Sequence, residues 1–461
     1  MTGYLWASKE ERALGPEHVG LIQLALPMLC ESILRSLVGM IDVVFLSKIS
    51  DRVVSSVSIA SQYITICQII CMAVSSGCIV CINQAIGLKN MKRVNRLASI
   101  SCGAILMLGL FFGLIFLFGS RALLVIMKLE KTSVDAAVTY MHIVGGCLVF
   151  SCLEIGLNDM CRSMGRTNAP LIINIIENII NITGNYLAVF HGEKIGLDPL
   201  EGVALATVLS RVVGMCISMS LAIQSGIKIS WRAFVPFPKE DLRITLSIGI
   251  PGGLNNVSYS VGQLATTAVI SLCGEMLVAT KTYVNNVMTY VSLISLAVGS
   301  AGALMVGYKI GEGKFSDAMK IRSVATRLGL LSNAVLTLIF ICFREKLLLI
   351  FTDDRKILEI GSTIILLDFA VELGRSLNET LGSALTAVGD VRFQLILNQL
   401  SCWTVMVGGS YLLGVLCGLE LYGVWIAFAA DELLRGTILW RRWHSTVWMT
   451  AAQSRRETLA K

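Results

Sequence analysis

The residues able to do chemistry in this chain are ionisable groups and amides set in sequence too apolar to solvate them. Asp42 stands in GMIDVVFL, with Glu31 and Arg35 upstream. At about 100° per residue the three fall on one stripe of a helix, within roughly 40°. A carboxylate at bilayer depth costs about 2.5–3.5 kcal/mol on insertion scales. Two readings fit the stripe. In one, Glu31 and Arg35 form an i,i+4 ion pair with Asp42 hydrogen-bonded nearby. In the other, Asp42 is a titratable or cation-binding carboxylate facing a cavity.

A second stripe lies in TNAPLIINIIENIINITGNYLAVF, where Asn174, Asn178, Asn181 and Asn185 are spaced 4, 3 and 4 apart. Four carboxamides within roughly 60° of one another are excluded from lipid, where each unmet hydrogen bond is costly. They act either as glue between helices or as oxygen ligands for a hard cation. Glu177 borders the stripe. A third set, Asp368, Glu372, Arg375, Asn378 and Glu379, lies in LDFAVELGRSLNETLGSALTAVGD; a fourth, Asp431, Glu432 and Arg435, lies in DELLR. The i,i+3 and i,i+4 spacings of these two sets suit intramembrane ion pairs, with a substrate or proton role as the alternative. Lys281, near the start of its span, reads as a snorkelling side chain.

The elements that position these groups follow from composition. Of 461 residues, 55% are hydrophobic and 15% charged, and the mean hydropathy is +0.73. That excludes a soluble globular chain, which carries about 25% charge. Apolar stretches of bilayer length occur at roughly 20–47, 53–84, 96–119, 134–160, 169–190, 202–224, 243–272, 276–307, 324–343, 358–388, 394–417 and 421–440. The charged opening reads as a cytoplasmic tail rather than a secretory signal. The 14 cysteines lie mostly within spans and suit packing rather than metal ligation. Lys and Arg total 23 on the termini and even-numbered connections against 10 on the odd-numbered ones. The positive-inside rule therefore puts both termini in the cytoplasm. Positive charge spread over loops in this way is no nucleic-acid signal.

An internal repeat organises the twelve spans. At an offset near 224, Pro27 falls on Pro251, Gly87 on Gly311 and Gly165 on Gly389, with Asn185-Tyr186 within one residue of Ser410-Tyr411. Six spans separate the copies, so both halves share one topology and the expected axis lies along the membrane normal. The expected organisation is an N-tail (1–19), a first lobe (20–224), a linker (225–242), a second lobe (243–440) and a C-tail (441–461). A cavity is expected between the lobes. The linker, with Trp231, Phe234 and Phe237 among basic residues, reads as an interfacial segment. The halves differ at Asp42, which aligns with Thr266, and at Asn181, which aligns with Val405.

At these residues the chain resembles the multidrug and toxic compound extrusion (MATE) family. The resemblance rests on LALPMLCESILRSLVGMIDVVFLSKISDRVVSSVSIASQYI, NQAIGLKN, RSMGRTNAP, ENIINITGNY, GVALATVLSR, GYKIGEGK, ELGRSLN with TAVGDVRF, and YGVWIAFAADELLRG, in family order over about residues 18–445. It implies an all-α membrane protein with twelve helices in two six-helix lobes forming a V. It further implies export of cationic, amphipathic organic compounds against inward Na⁺ or H⁺, with no other cofactor. Residue by residue, Asp42 is similar to the family's first-helix acid, and Asn181 and Asn185 to its fifth-helix pair, a candidate Na⁺ site. Asn158 and Thr207 are looser matches in the same network, with Asn178 as an outer member. The chain departs from the family pattern at Arg35, where a Gln is common, and at Asn255 and Asn256, where some members carry a Glu. A monomer in the plasma (cell inner) membrane is expected.

Two other classes compete with this reading. A lipid-linked precursor flippase would want a cationic cavity, for which Arg35, Arg211 and Arg375 are candidates. An intramembrane enzyme would need a nucleophile–base or metal motif, and no HExxH or GxSxG appears. Nothing reads as a channel filter.

Overall fold

The computed structural model describes residues 18–125, 131–230, 233 and 238–460; several side chains within helices, those of 37–40 and 42–44 among them, fall outside the described set. The chain is helical throughout, with no strand among the described residues. We number the helices α1 Leu21–Ile49, α2 Asp51–Gly87, α3 Met91–Val125, α4 from Lys131 to Ser163, α5 Asn168–Ile195 and α6 Pro199–Gln224. The second copy continues with α7 Lys239–Ser271, α8 Glu275–Gly311, α9 Phe315–Cys342, α10 Arg355–Ala387, α11 from Val391 to Leu416 and α12 Glu420–His444. A last helix, α13 Val447–Ala460, lies in the segment read as a C-tail. Helix α7 starts at Lys239, inside the range read as linker. Trp231, Phe234 and Phe237 lie outside the described residues.

Among the described residues six helices are long and apolar enough by themselves to cross a bilayer, and the two bent halves of α4 make a seventh span. Helices α5, α7, α10 and α12 carry the ionisable and amide side chains noted above, which lower their hydropathy. Large apolar side chains such as Phe118, Leu264 and Leu331 stay exposed, as suits a surface facing hydrocarbon.

The repeat is visible in the backbone. Pro27 and Pro251 both lie inside helices, α1 and α7. Gly165 and Gly389 both take a left-handed φ, 72° and 81°, where α4 and α10 end. Lys89 (56°) and Gly313 (78°), again 224 apart, do the same after α2 and α8. The copies also differ. Helix α4 widens into a π-type turn at Met141–Gly145 and bends by 45° at Gly145 and Gly146. Helix α11 instead widens at Cys402–Gly408 and Tyr411–Leu416. Such turns free backbone groups and are common at functional sites.

Two compact units emerge. One joins Cys30–Ile82 and Asn90–Ile250; the other joins Met1–Leu29, Asn83–Lys89 and Pro251–Lys461. Residues at the start of α7 thus group with the first half, and those at the start of α1 with the second. In the first unit, Asp241 of α7 is buried and paired with Arg93 (2.5 Å) and Arg96 (2.9 Å) of α3. Its core gathers Ile64, Cys71, Ile105, Phe116 and Met141. The other unit's core gathers Val284, Met288, Ile364, Trp425 and Phe428.

In that second unit the repeat-related glycines meet. A Cβ on Gly87 would overlap the carbonyl oxygen of Tyr308, and one on Gly311 that of Gln84. Gln84 also donates to the carbonyl of Ala387 at 2.8 Å. Arg455 and Arg456 of α13 close the same end through the carbonyls of Val388 (2.8 Å) and Gly311 (3.0 Å). Backbone cannot retreat as a flexible side chain can. Gly311→Val is expected to destabilise the purified protein by about 3 kcal/mol, the upper end for overpacking. Thermal unfolding in detergent would read this; an unshifted midpoint would refute the close approach.

Candidate functional site

Three helices of the first unit bring a polar network together. Glu31 on α1 is buried, and Arg35 one turn along donates to it at 3.0 Å. The i,i+4 pair expected from spacing is therefore present. Spacing along α1 gave no sign of Arg162 on α4. Its guanidinium donates to both oxygens of Glu31 at 2.7 Å and to Asp159 at 2.7 Å. Ser75 of α2 completes Asp159 at 2.6 Å. Arg162 stands at the end of α4, and its guanidinium reaches back to α1.

This second partner changes the expectation for Glu31. Glu31→Gln leaves Arg162 with Asp159 alone, so relieving Arg35 in a double Glu31→Gln/Arg35→Gln variant restores only part of the loss. Breaking one buried partner costs about 3–5 kcal/mol, and Arg35, largely exposed, contributes little of it. Both variants are expected to melt well below the parent. A double variant with parental stability would show that Arg162 does not need Glu31.

The amides of α5 form a ladder. Asn178 donates to Asn174 at 2.7 Å, Asn185 donates to Asn181 at 3.0 Å, and Asn181 donates to Thr207 of α6 at 3.3 Å. Asn174, Asn181 and Asn185 are buried, as expected of amides kept from lipid. Asn158 belongs to a neighbouring set: it donates to Glu154 at 3.1 Å and accepts from Ser218 at 2.9 Å. Glu177 does not face a headgroup. It is buried and accepts from Arg211 at 3.0 Å, and Arg211 lies 3.5 Å from Glu154. Asp42 lies on α1, and its side chain falls outside the described residues, so its distance to Asn181 and Asn185 is not assigned.

The second unit holds a larger ionic set. Arg375 pairs with Glu372 and stands 3.9 Å from Glu432. Asn333 of α9 donates to Glu372 at 3.0 Å. Arg435 donates to Asp431 (2.7 Å) and Glu432 (2.9 Å), Ser401 donates to Asp431 (2.5 Å), and Asn378 donates to Glu432. The helical spacings of α10 and α12 had implied the Glu372–Arg375, Asp431–Arg435 and Glu432–Arg435 pairs. Asn255 accepts from Asn398 at 2.9 Å. Asp368 accepts from the Trp425 indole at 2.6 Å, and its other oxygen has no donor among the described residues.

Lys281 corrects its expectation. It is buried, donates to Thr267 at 2.8 Å and lies 6.0 Å from the centre of the Phe428 ring. An apolar ring beneath and a hydroxyl in reach hold it inside, so it does not snorkel.

Arg211 and Arg435 are themselves 224 residues apart. The overlay that matched the prolines and glycines already pairs them, and that was the signal for Arg211 as a site residue. Each organises two buried carboxyls, one set drawn from α4 and α5, the other from α12 itself.

Comparison with known proteins agrees with this architecture. The MatE family pattern matches residues 27–187 and again 251–412, and the two matches start 224 residues apart (251 − 27). The chain is 29% identical over 433 residues to the uncharacterized transporter YisQ of Bacillus subtilis, covering 93% of this chain and 94% of that one. It is 27% identical over 421 residues to the probable multidrug resistance protein NorM of Thermotoga maritima, covering 91% and 90%. Among solved structures, an outward-facing multidrug resistance MATE family transporter superposes with a TM-score of 0.84 at 18% identity, covering 99% of each chain. A Pyrococcus furiosus transporter of the MOP superfamily, described as having a binding pocket of reverse polarity that suggests a different function, superposes at 0.83 and 18%, also covering 99% of each. A twice-matched family pattern, a 224-residue repeat and the twelve-helix fold lead to one conclusion: this chain belongs to the multidrug and toxic compound extrusion (MATE) family of multi-pass membrane transporters.

Proposed function

We propose that the protein is a secondary antiporter that exports cationic, amphipathic organic compounds in exchange for Na⁺ or H⁺. The observation that carries this reading is the sign of the buried charge. Among the described residues, the membrane helices of the first unit set Glu31, Glu154, Asp159 and Glu177 against Arg35, Arg162 and Arg211. In the second unit Asp368, Glu372, Asp431 and Glu432 are buried alongside Lys281, Lys309, Arg322 and Arg435, so its buried charges balance among the described residues. Among the described buried groups of the first unit, carboxyls outnumber cations, which suits cations as cargo and coupling ions. Arg35, Arg211 and Arg375, the residues that favoured a flippase of anionic lipid-linked precursors, are all engaged by buried acids. The multidrug resistance name of the Thermotoga relative supports the same reading.

In this proposal Asp42 is the exchange carboxylate, Asn181 and Asn185 supply amide oxygens to Na⁺ or polarise the acid, and Thr207 and Asn158 steady them. Glu372, Arg375, Asn378, Asp431 and Arg435 hold the second lobe's polar interior. The protein works as a monomer in the plasma membrane. Cells expressing it should accumulate less of a fluorescent cationic dye than cells without it, and collapsing the Na⁺ or proton gradient should abolish the difference. Equal accumulation in both would refute the proposal.

Both termini are placed in the cytoplasm by the 23 to 10 basic bias. In a cysteine-free background, Lys228→Cys is expected to react with an impermeant maleimide only from the cytoplasmic side, and Asp353→Cys only from outside. The reverse pattern would overturn the orientation.

A further inference from the structure

Helices α4, α5 and α6 hold a second acidic group that the amide ladder does not use. Glu154 and Glu177 are 4% and 3% exposed, and one nitrogen of Arg211 reaches both, at 3.5 Å and 3.0 Å. Their common cation is Arg211. Among the described residues the surrounding charges are otherwise matched: Glu31 and Asp159 are balanced by Arg162 and Arg35. Two carboxylates on one guanidinium leave one negative charge uncompensated in a buried site, where an unpaired charge costs several kcal/mol. One proton removes it, as in other carboxyl pairs that cannot both ionise.

The hydrogen bonds say which oxygen takes that proton. Glu154 accepts on both of its oxygens, from Asn158 at 3.1 Å and from Arg211 at 3.5 Å, so it is furnished as the ionised partner. Glu177 accepts from Arg211 through Oε2 only, and its buried Oε1 has no partner among the described residues. That oxygen rests on Gly214 of α6, where a Cβ would collide with it; the glycine makes the room the carboxyl occupies. The charged groups within reach of Glu177 are Glu154 on α4, Arg211 on α6 and Arg35 on α1.

We propose that Glu177 and Glu154 form a proton-binding site of the first unit, distinct in role from the one proposed for Asp42, with the proton carried on Glu177 Oε1. The site goes beyond the exchange role proposed for Asp42 and does not need Asp42 to ionise or to bind Na⁺. Its ligand is one proton taken from water, and no covalent step is involved.

Infrared spectroscopy of the purified protein near neutral pH tests this through the carbonyl stretch of protonated carboxyls, which shifts in D₂O. Difference spectra remove the contribution of other buried acids, such as those of α10 and α12. Glu177→Gln is expected to lose one protonated-carboxyl signal. Glu154→Gln is expected to lose the same signal, because a single acid facing Arg211 stays ionised. Asp42→Asn is expected to keep it. Both glutamines preserve shape, and a cooperative thermal transition confirms that each variant is folded. An unchanged signal in Glu177→Gln, or its survival in Glu154→Gln, would overturn the proposal.

Discussion

Asp42→Asn is expected to abolish gradient-driven export while leaving the protein inserted and folded. The asparagine keeps the size of the side chain and its ability to hydrogen-bond, but it can neither release a proton nor supply a negative charge to Na⁺. A coupled exchanger needs a group whose occupancy alternates between ion and substrate, and a neutral amide does not alternate. Rates of dye efflux from cells or vesicles should fall by about 100-fold or more, equivalent to about 2.7 kcal/mol or more of lost transition-state stabilisation. The thermal midpoint should stay level or rise, since the substitution removes a carboxylate from bilayer depth. Normal transport by Asp42→Asn would remove Asp42 from the mechanism.

The second large effect belongs to Arg435. This guanidinium is 7% exposed and donates to two buried carboxylates, Asp431 and Glu432. Arg435→Met keeps much of the volume, leaves Asp431 without a cation and leaves Glu432 only the more distant Arg375, at 3.9 Å. Asp431 retains Ser401, and Glu432 retains Asn378. Neither neutral donor replaces a formal charge. Removing one partner of a buried ion pair costs about 3–5 kcal/mol, a large share of the 5–15 kcal/mol that holds a typical domain folded. Arg435→Met is therefore expected to reach the membrane at low yield and to melt far below the parent in detergent. Adding Asp431→Asn and Glu432→Gln should restore much of the loss by removing the stranded charges. A single variant as stable as the parent would mean that the acids of α12 are already neutral without Arg435.

The helices were legible because bilayer length and apolar composition leave few alternatives. The repeat was legible because Pro27, Gly87 and Gly165 each do a backbone task that their counterparts repeat 224 residues later. Pairs within one helix followed from periodicity, as Glu31–Arg35 and Asp431–Arg435 illustrate. Pairs between helices did not. Arg162 meets Glu31 across 131 residues, and Arg211 meets Glu177 across 34; no spacing rule joins positions on separate helices. Lys281 failed for a related reason. Its place near a span end suggested a path to the interface, but Thr267 and Phe428, which keep it buried, come from two other helices. The bend of α4 and the widened turns of α11 were likewise hidden, since the glycines found there occur throughout the spans.

The central claim is that export of an organic cation is driven by an inward cation gradient. Purified protein in vesicles, loaded with a fluorescent organic cation and given in turn a Na⁺ gradient, a proton gradient or neither, tests it most directly. Coupled antiport requires dye to leave uphill under one of the two gradients, with Na⁺ or H⁺ entering in step, and no uphill movement without a gradient. Dye movement that is equal under all three conditions, or a gradient-driven flux carried only by an anionic lipid-linked compound, would contradict it.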